Sequence, residues 1–91
     1  MNVVRGAFLV NNKLGLHARA AAKLTQLASR FPCEIKVVNG GQSVNAKSVM
    51  GLLLLCGAKG TKLSIEAEGE CAEEAVRAIG ELIDGLFGEE E

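Results

Sequence analysis

Aromatic side chains are scarce in this sequence. Tryptophan and tyrosine are absent, and phenylalanine occurs three times in 91 residues. Few flat surfaces are therefore available for stacking nucleic-acid bases or sugar rings. Nor does positive charge predominate: ten basic residues against eleven acidic ones give a net charge of −1, so the basic footprint of a nucleic-acid-binding protein is missing. Histidine occurs once, at His17, and three cysteines are scattered at Cys33, Cys56 and Cys71. One imidazole and three separated thiols match no common zinc pattern, so no metal is expected. An odd cysteine count without redox-type spacing reads as free, mostly buried thiols in a reducing cytosol. Long apolar runs are missing too. Val49 to Cys56 is the greasiest stretch and is far too short to span a bilayer. Near the start, only Ala7-Phe8-Leu9-Val10 runs apolar, behind Arg5 and Gly6, which is not a signal-peptide pattern. These absences lead us to expect a cytoplasmic, soluble protein without membrane insertion.

What is present is enough for one core. With 48% hydrophobic residues and no repeat, linker or low-complexity stretch, residues 1–88 read as a single domain. The acidic end at 89–91 is expected to fray into solvent. Val4, Gly6, Phe8 and Val10 alternate on one face of a first strand. Leu24, Leu27, Ala28 and Phe31 recur at helical spacing before Pro32. Ile35 and Val37 alternate with Glu34 and Lys36 in a second strand, and Asn39-Gly40-Gly41 signals a hairpin into a third strand with Val44 and Ala46 inward. Ser48 can cap a short apolar helix from Val49 to about Leu55. Leu63, Ile65 and Ala67 form the inner face of a fourth strand. Ala72, Ala75, Val76, Ile79, Leu82, Ile83, Leu86 and Phe87 follow the i, i+3, i+4, i+7 pattern of a last amphipathic helix. The order β-α-β-β-α-β-α predicts an α+β fold: one antiparallel sheet with helices on one face and Arg5, Lys36, Glu66 and Glu68 on the open face.

The chemistry concentrates in Gly15-Leu16-His17-Ala18-Arg19. His17 stands just before a run that reads as the first turn of a helix. Unpaired backbone N–H groups and the positive end of the helix dipole favour an anion there. Histidine is a side chain able to act as a covalent nucleophile. Nucleophile, anion cradle and the Arg19 cation together point to a phosphoryl group on His17. Taken singly, a histidine at a helix start is more often a cap or surface residue, and an arginine more often a solvated one. Their combination is the signal.

Two separated motifs carry a family resemblance. Gly15-Leu16-His17-Ala18-Arg19 is similar to the active-site signature of HPr, the histidine-containing phosphocarrier of the bacterial phosphoenolpyruvate-dependent sugar phosphotransferase system. Asn45-Ala46-Lys47-Ser48-Val49-Met50-Gly51-Leu52-Leu53 resembles that family's regulatory-serine segment. The resemblance spans about Val3 to Phe87 and implies an open-faced β-sandwich of four antiparallel strands and three helices. It implies that His17 accepts a phosphoryl group on Nδ1 from phosphorylated enzyme I and passes it to the IIA components of sugar permeases. The backbone N–H groups of Ala18 and Arg19, and the Arg19 guanidinium, would hold the phosphoryl oxygens. No cofactor is implied, and a monomer is expected.

Ser48 caps a helix whatever else it does. The resemblance adds regulatory phosphorylation by an HPr kinase/phosphorylase, with a transcription regulator as a further partner. Val49, Met50 and Leu53 are read as an apolar docking patch, rimmed by Arg19, Lys23 and Lys47. Two positions depart from the family pattern. Ala20 stands where the family usually has proline, an exchange that keeps the helix and is expected to weaken the preorganisation of the phosphoryl site by less than about 1 kcal/mol. Cys71 stands where a stronger capping residue is usual. The alternatives are a nitrogen-related or purely regulatory paralogue acting through its phosphorylation state, and an independent enzyme. The last is disfavoured because the chain has no second histidine, no nucleotide-binding glycine loop and no carboxylate pair near His17 in sequence.

Overall fold

In the computed structural model, residues 3–90 are described. The elements are β1 (Val3–Leu9), α1 (Ala18–Ala28), β2 (Glu34–Asn39), β3 (Gln42–Asn45), α2 (Val49–Leu54), β4 (Lys62–Glu68) and α3 (Ala72–Asp84), followed by a 3₁₀ turn at Leu86–Gly88. The four strands form one antiparallel sheet in the order β1-β4-β2-β3. Period-two alternation decides which side of each strand is covered. Ile35, Val37, Leu63, Ile65 and Ala67 are buried beneath the helices, with Val4 and Phe8 packed against them. On the opposite face, Arg5 sits across from Glu66 and donates from Nε to its carboxylate at 3.1 Å, while Lys36 pairs with Glu66 from the other side. Asn39 pairs with Gln42, which leaves Gly40-Gly41 as the two-residue hairpin loop that the sequence predicts.

α3 crosses β1 and β4 and buries Ala72, Ala75, Val76, Ile79 and Ile83. It approaches so closely that a Cβ on Gly80 would stand 2.3 Å from the Phe8 ring, so glycine at this position lets the helix lie on the strand. α1 packs against both α2 and α3 and buries Ala20, Ala21, Leu24 and Ala28.

Three expectations differ from the structure. α1 stops at Ala28, and Phe31 reaches the core from the turn that follows, because Ser29 already closes the helix. α3 stops at Asp84, although the apolar spacing continues to Leu86 and Phe87. Gly85 ends it, and the chain then turns through left-handed φ values of 59° at Leu86 and 55° at Phe87. Such values are unfavourable for non-glycine residues, and full burial of the Phe87 ring compensates. The thiols are also less buried than expected: Cys33 is buried, Cys71 half-exposed and Cys56 exposed. Among the described residues, no helix is long and apolar enough to cross a membrane.

Candidate functional site at the start of helix α1

The loop before α1 is shaped by contacts that exclude a side chain at Gly15. This residue has φ of 65°, and a Cβ there would lie 2.5 Å from the Gly57 carbonyl oxygen and 2.9 Å from the Ala58 Cα. The Leu16 N–H donates to that same carbonyl at 2.7 Å, and the Gly15 N–H donates to the Asn12 carbonyl at 3.1 Å. The chain is thereby delivered to α1 with His17 as its N-cap, in extended conformation.

As N-cap, His17 uses its side chain as well as its backbone. Its Nδ1 accepts from the Arg19 N–H at 3.3 Å, and its carbonyl accepts the first intrahelical bond, from Ala21, at 2.8 Å. The observed cap and the expected phosphoryl acceptor therefore meet on one atom, Nδ1. The other ring nitrogen, Nε2, is hydrogen-bonded to the Glu89 carboxylate. An acceptor-only carboxylate at Nε2 assigns the ring proton to that nitrogen and leaves Nδ1 with its lone pair.

Glu89 is held in turn. Asn12 donates from Nδ2 to Glu89 Oε1 at 2.9 Å and to the Gly15 carbonyl at 2.8 Å, joining the tail to the loop. Lys23 donates to the Phe87 carbonyl at 2.7 Å and fixes the turn that precedes Glu89. The Asn12 amide, then His17, hold the Glu89 carboxyl below its ordinary value of 4.5. The tail expected to fray thus returns to the histidine at Glu89. Glu90 is exposed, and Glu91 lies outside the described residues.

His17, Ala18, Arg19 and Glu89 line an open hollow of about 690 Å³, together with Lys13 and Leu14. Arg19 and Ala18 are exposed, and the His17 side chain is 24% accessible. The ring edge is thus reachable by another macromolecule. Among the described residues, no cluster of histidine, cysteine or carboxylate groups fit to hold a metal is found.

The remaining sequence candidates lie along α1 and α2. Ser48 caps α2, its Oγ accepting from the Gly51 N–H at 3.1 Å. Thr25 donates to the Ala46 carbonyl and Lys47 to that of Phe31, which ties the Ser48 segment to the C-terminal end of α1. Gly57, just past α2, meets the loop before His17. α2 therefore runs back along α1, with Ser48 at the end away from His17. Met50 is 73% exposed and Leu53 38%, whereas Val49 packs partly into the core. Lys23 and Lys47 both bond to backbone carbonyls rather than standing out as a charged rim.

Sequence reasoning missed Asn12, Glu89 and the exposed Leu54. Asn12 had a faint signal, an asparagine three residues ahead of a glycine in a turn. Glu89 had none, since 72 positions separate it from His17.

Comparison with known proteins places the chain in a family. A family profile described as "PTS HPr component phosphorylation site" matches residues 4–85. The phosphocarrier protein HPr of Neisseria meningitidis is 52% identical over 80 residues, covering 88% of this chain and 90% of that protein. The phosphocarrier protein NPr of Shewanella violacea is 47% identical, covering 86% of each. The crystal structure of HPr-C-His from Thermoanaerobacter tengcongensis superposes with a TM-score of 0.91 at 43% identity and covers all of both chains.

Proposed function

The chain belongs to the HPr family of phosphocarrier proteins of the phosphotransferase system, and from that premise we propose that His17 Nδ1 is the atom that carries the phosphoryl group. A phosphocarrier is an intermediate between two partners rather than an enzyme with its own small-molecule substrate. The reading rests on one observation: Glu89 holds the Nε2 edge of the ring, which leaves Nδ1 unprotonated at the exposed start of a helix.

The donor is phosphorylated enzyme I. The Nδ1 lone pair attacks phosphorus in line as the bond to the donor breaks. Once that lone pair is in the new P–N bond, the Arg19 N–H loses its acceptor and is released to a phosphoryl oxygen. The Ala18 N–H and the Arg19 guanidinium complete the cradle. The phosphorylated ring is cationic, and Glu89 offsets that charge through the Nε2–H, as a carboxylate orients and stabilises histidine in other sites. Because the cradle is open, a IIA component can approach phosphorus from the solvent side and take the group in turn. Met50 and Leu53 supply apolar area for docking.

Ser48 is the regulatory position in this reading. A phosphate there adds about −1.5 to −2 charge at the end of α1 remote from His17. It acts on partners that dock over α2 rather than on the phosphohistidine. An HPr kinase/phosphorylase and a transcription regulator are the partners it implies.

The 47% identity to an NPr protein favours a second reading, a nitrogen-related or purely regulatory paralogue. Both readings require the same adduct on His17. They separate on whether a sugar-permease IIA component accepts the group.

Incubation with enzyme I and phosphoenolpyruvate, read by intact mass, tests the carrier reading. The protein is expected to gain one phosphoryl group, labile in acid and stable in base, and His17→Ala to gain none. An unchanged mass for the wild-type protein overturns the reading.

A further inference from the structure

Away from the histidine, the turn between α1 and β2 meets the turn between β4 and α3. Cys33 lies in the first and is buried; Cys71 lies in the second, immediately before α3, and is half-exposed. The two turns are in close contact. A Cβ on Gly69 would stand 2.9 Å from the Cys33 Cβ and 3.5 Å from its Cα. The Ala72 N–H donates to the Gly69 carbonyl at 3.2 Å, which closes the turn that carries Cys71. Both cysteines line one solvent-open hollow beside Pro32 and Glu70, and Cys71 is near enough to bear on the Cys33 thiol.

We propose that Cys33 and Cys71 form a reversible oxidation site, which closes into an intramolecular disulfide on reaction with a peroxide. Cys71, the thiol that solvent reaches, reacts first. Its sulfur attacks a peroxide oxygen, an S–O bond forms and the O–O bond breaks. With hydrogen peroxide, the leaving oxygen takes the proton of the Cys71 thiol and departs as water, and a sulfenic acid remains on Cys71. The Cys33 sulfur then attacks the Cys71 sulfur. An S–S bond forms, the S–O bond breaks, and the hydroxyl leaves as water with the Cys33 proton. The two sulfurs lose two electrons and the peroxide gains them.

The division of labour follows from the two environments. Burial, then the adjoining Cys71, pushes the Cys33 thiol up from 9.0 to about 11. A protonated, shielded thiol is a poor first reactant toward oxidant, but it is well placed to resolve a sulfenic acid formed in the hollow that both cysteines line. A small dithiol reverses the reaction by exchange. The link ties the start of α3 to the start of β2 and involves none of the residues around His17.

The test uses the full chain carrying Cys56→Ser, which removes the exposed third thiol. The reduced protein is exposed to hydrogen peroxide, unfolded, and alkylated with iodoacetamide. Both remaining thiols are expected to be lost to alkylation, with a linked Cys33–Cys71 peptide in the digest and both labels restored by dithiothreitol. With Cys33→Ser added, the reaction is expected to stop at a Cys71 sulfenic acid trapped by dimedone. Phosphoryl acceptance at His17 is expected to be unchanged in Cys71→Ser. Two alkylated thiols after peroxide, or a Cys71 sulfenic acid that accumulates while Cys33 is present, overturns the proposal.

Discussion

Glu89 determines how His17 presents itself. A neutral imidazole has one nitrogen that donates and one that accepts, and the better-anchored partner chooses between them. Here that partner is a carboxylate fixed by Asn12, on a turn fixed by Lys23. The anchoring leaves a signature in acid. The Glu89 carboxyl titrates below 4.5 when folded, chiefly through the Asn12 amide and then His17. Between the folded value and 4.5 the unfolded chain binds more protons than the native one, so stability rises with pH there. The contribution of Glu89 is thus present above pH 4.5 and is lost as pH falls through its folded value. Urea unfolding of the wild type and Glu89→Gln at a series of pH values is expected to show the two curves converging on acidification. A gap that does not change between pH 3 and 7 would contradict the anchoring. At this scale the sequence is uneven as a guide. His17, Arg19 and Ser48 belong to contiguous motifs whose local chemistry can be read from neighbours. Asn12 and Glu89 act through a contact that only the folded chain creates.

At the scale of elements, helical periodicity identified α3 and its buried face correctly as far as Ile83, then continued too far. Leu86 and Phe87 keep the apolar spacing, but Gly85 breaks the backbone geometry before they are reached. Hydrophobic spacing records which side chains are buried and not which backbone carries them; Phe87 is fully buried from a turn instead of a helix. That turn aims Glu89 at His17, so an error of one helical turn concealed a site residue. Spacing is equally silent on how closely two elements approach. Gly80 reads as a weak point in a helix, yet its missing Cβ is what admits the Phe8 ring. Gly80→Ala is expected to destabilise the fold by about 1–3 kcal/mol through overpacking, despite the better helix propensity of alanine. Combining it with Phe8→Leu should recover part of the loss, because the two positions share one space. Urea midpoints of the two single variants and the double variant test this; a stabilised Gly80→Ala protein would contradict the packing.

For the whole molecule, the element order and the Asn39-Gly40-Gly41 hairpin signal pointed to one antiparallel sheet, and alternation along the strands told its covered face from its open one, because a slip of one residue would exchange the two faces. The order β1-β4-β2-β3 does not follow from alternation, since it depends on which edges meet. That order and the return of the chain after α3 bring Glu89 beside the loop that holds Asn12 and His17. The central claim is therefore an arrangement in which distant parts of one small domain make Nδ1 the reactive nitrogen of His17. Nitrogen-15 NMR of the His17 ring, before and after phosphorylation by enzyme I and phosphoenolpyruvate, tests it most directly. The account predicts a proton on Nε2 in the unmodified protein and phosphorus coupled to Nδ1 in the product. A proton on Nδ1 beforehand, or phosphorus on Nε2 afterwards, would contradict it.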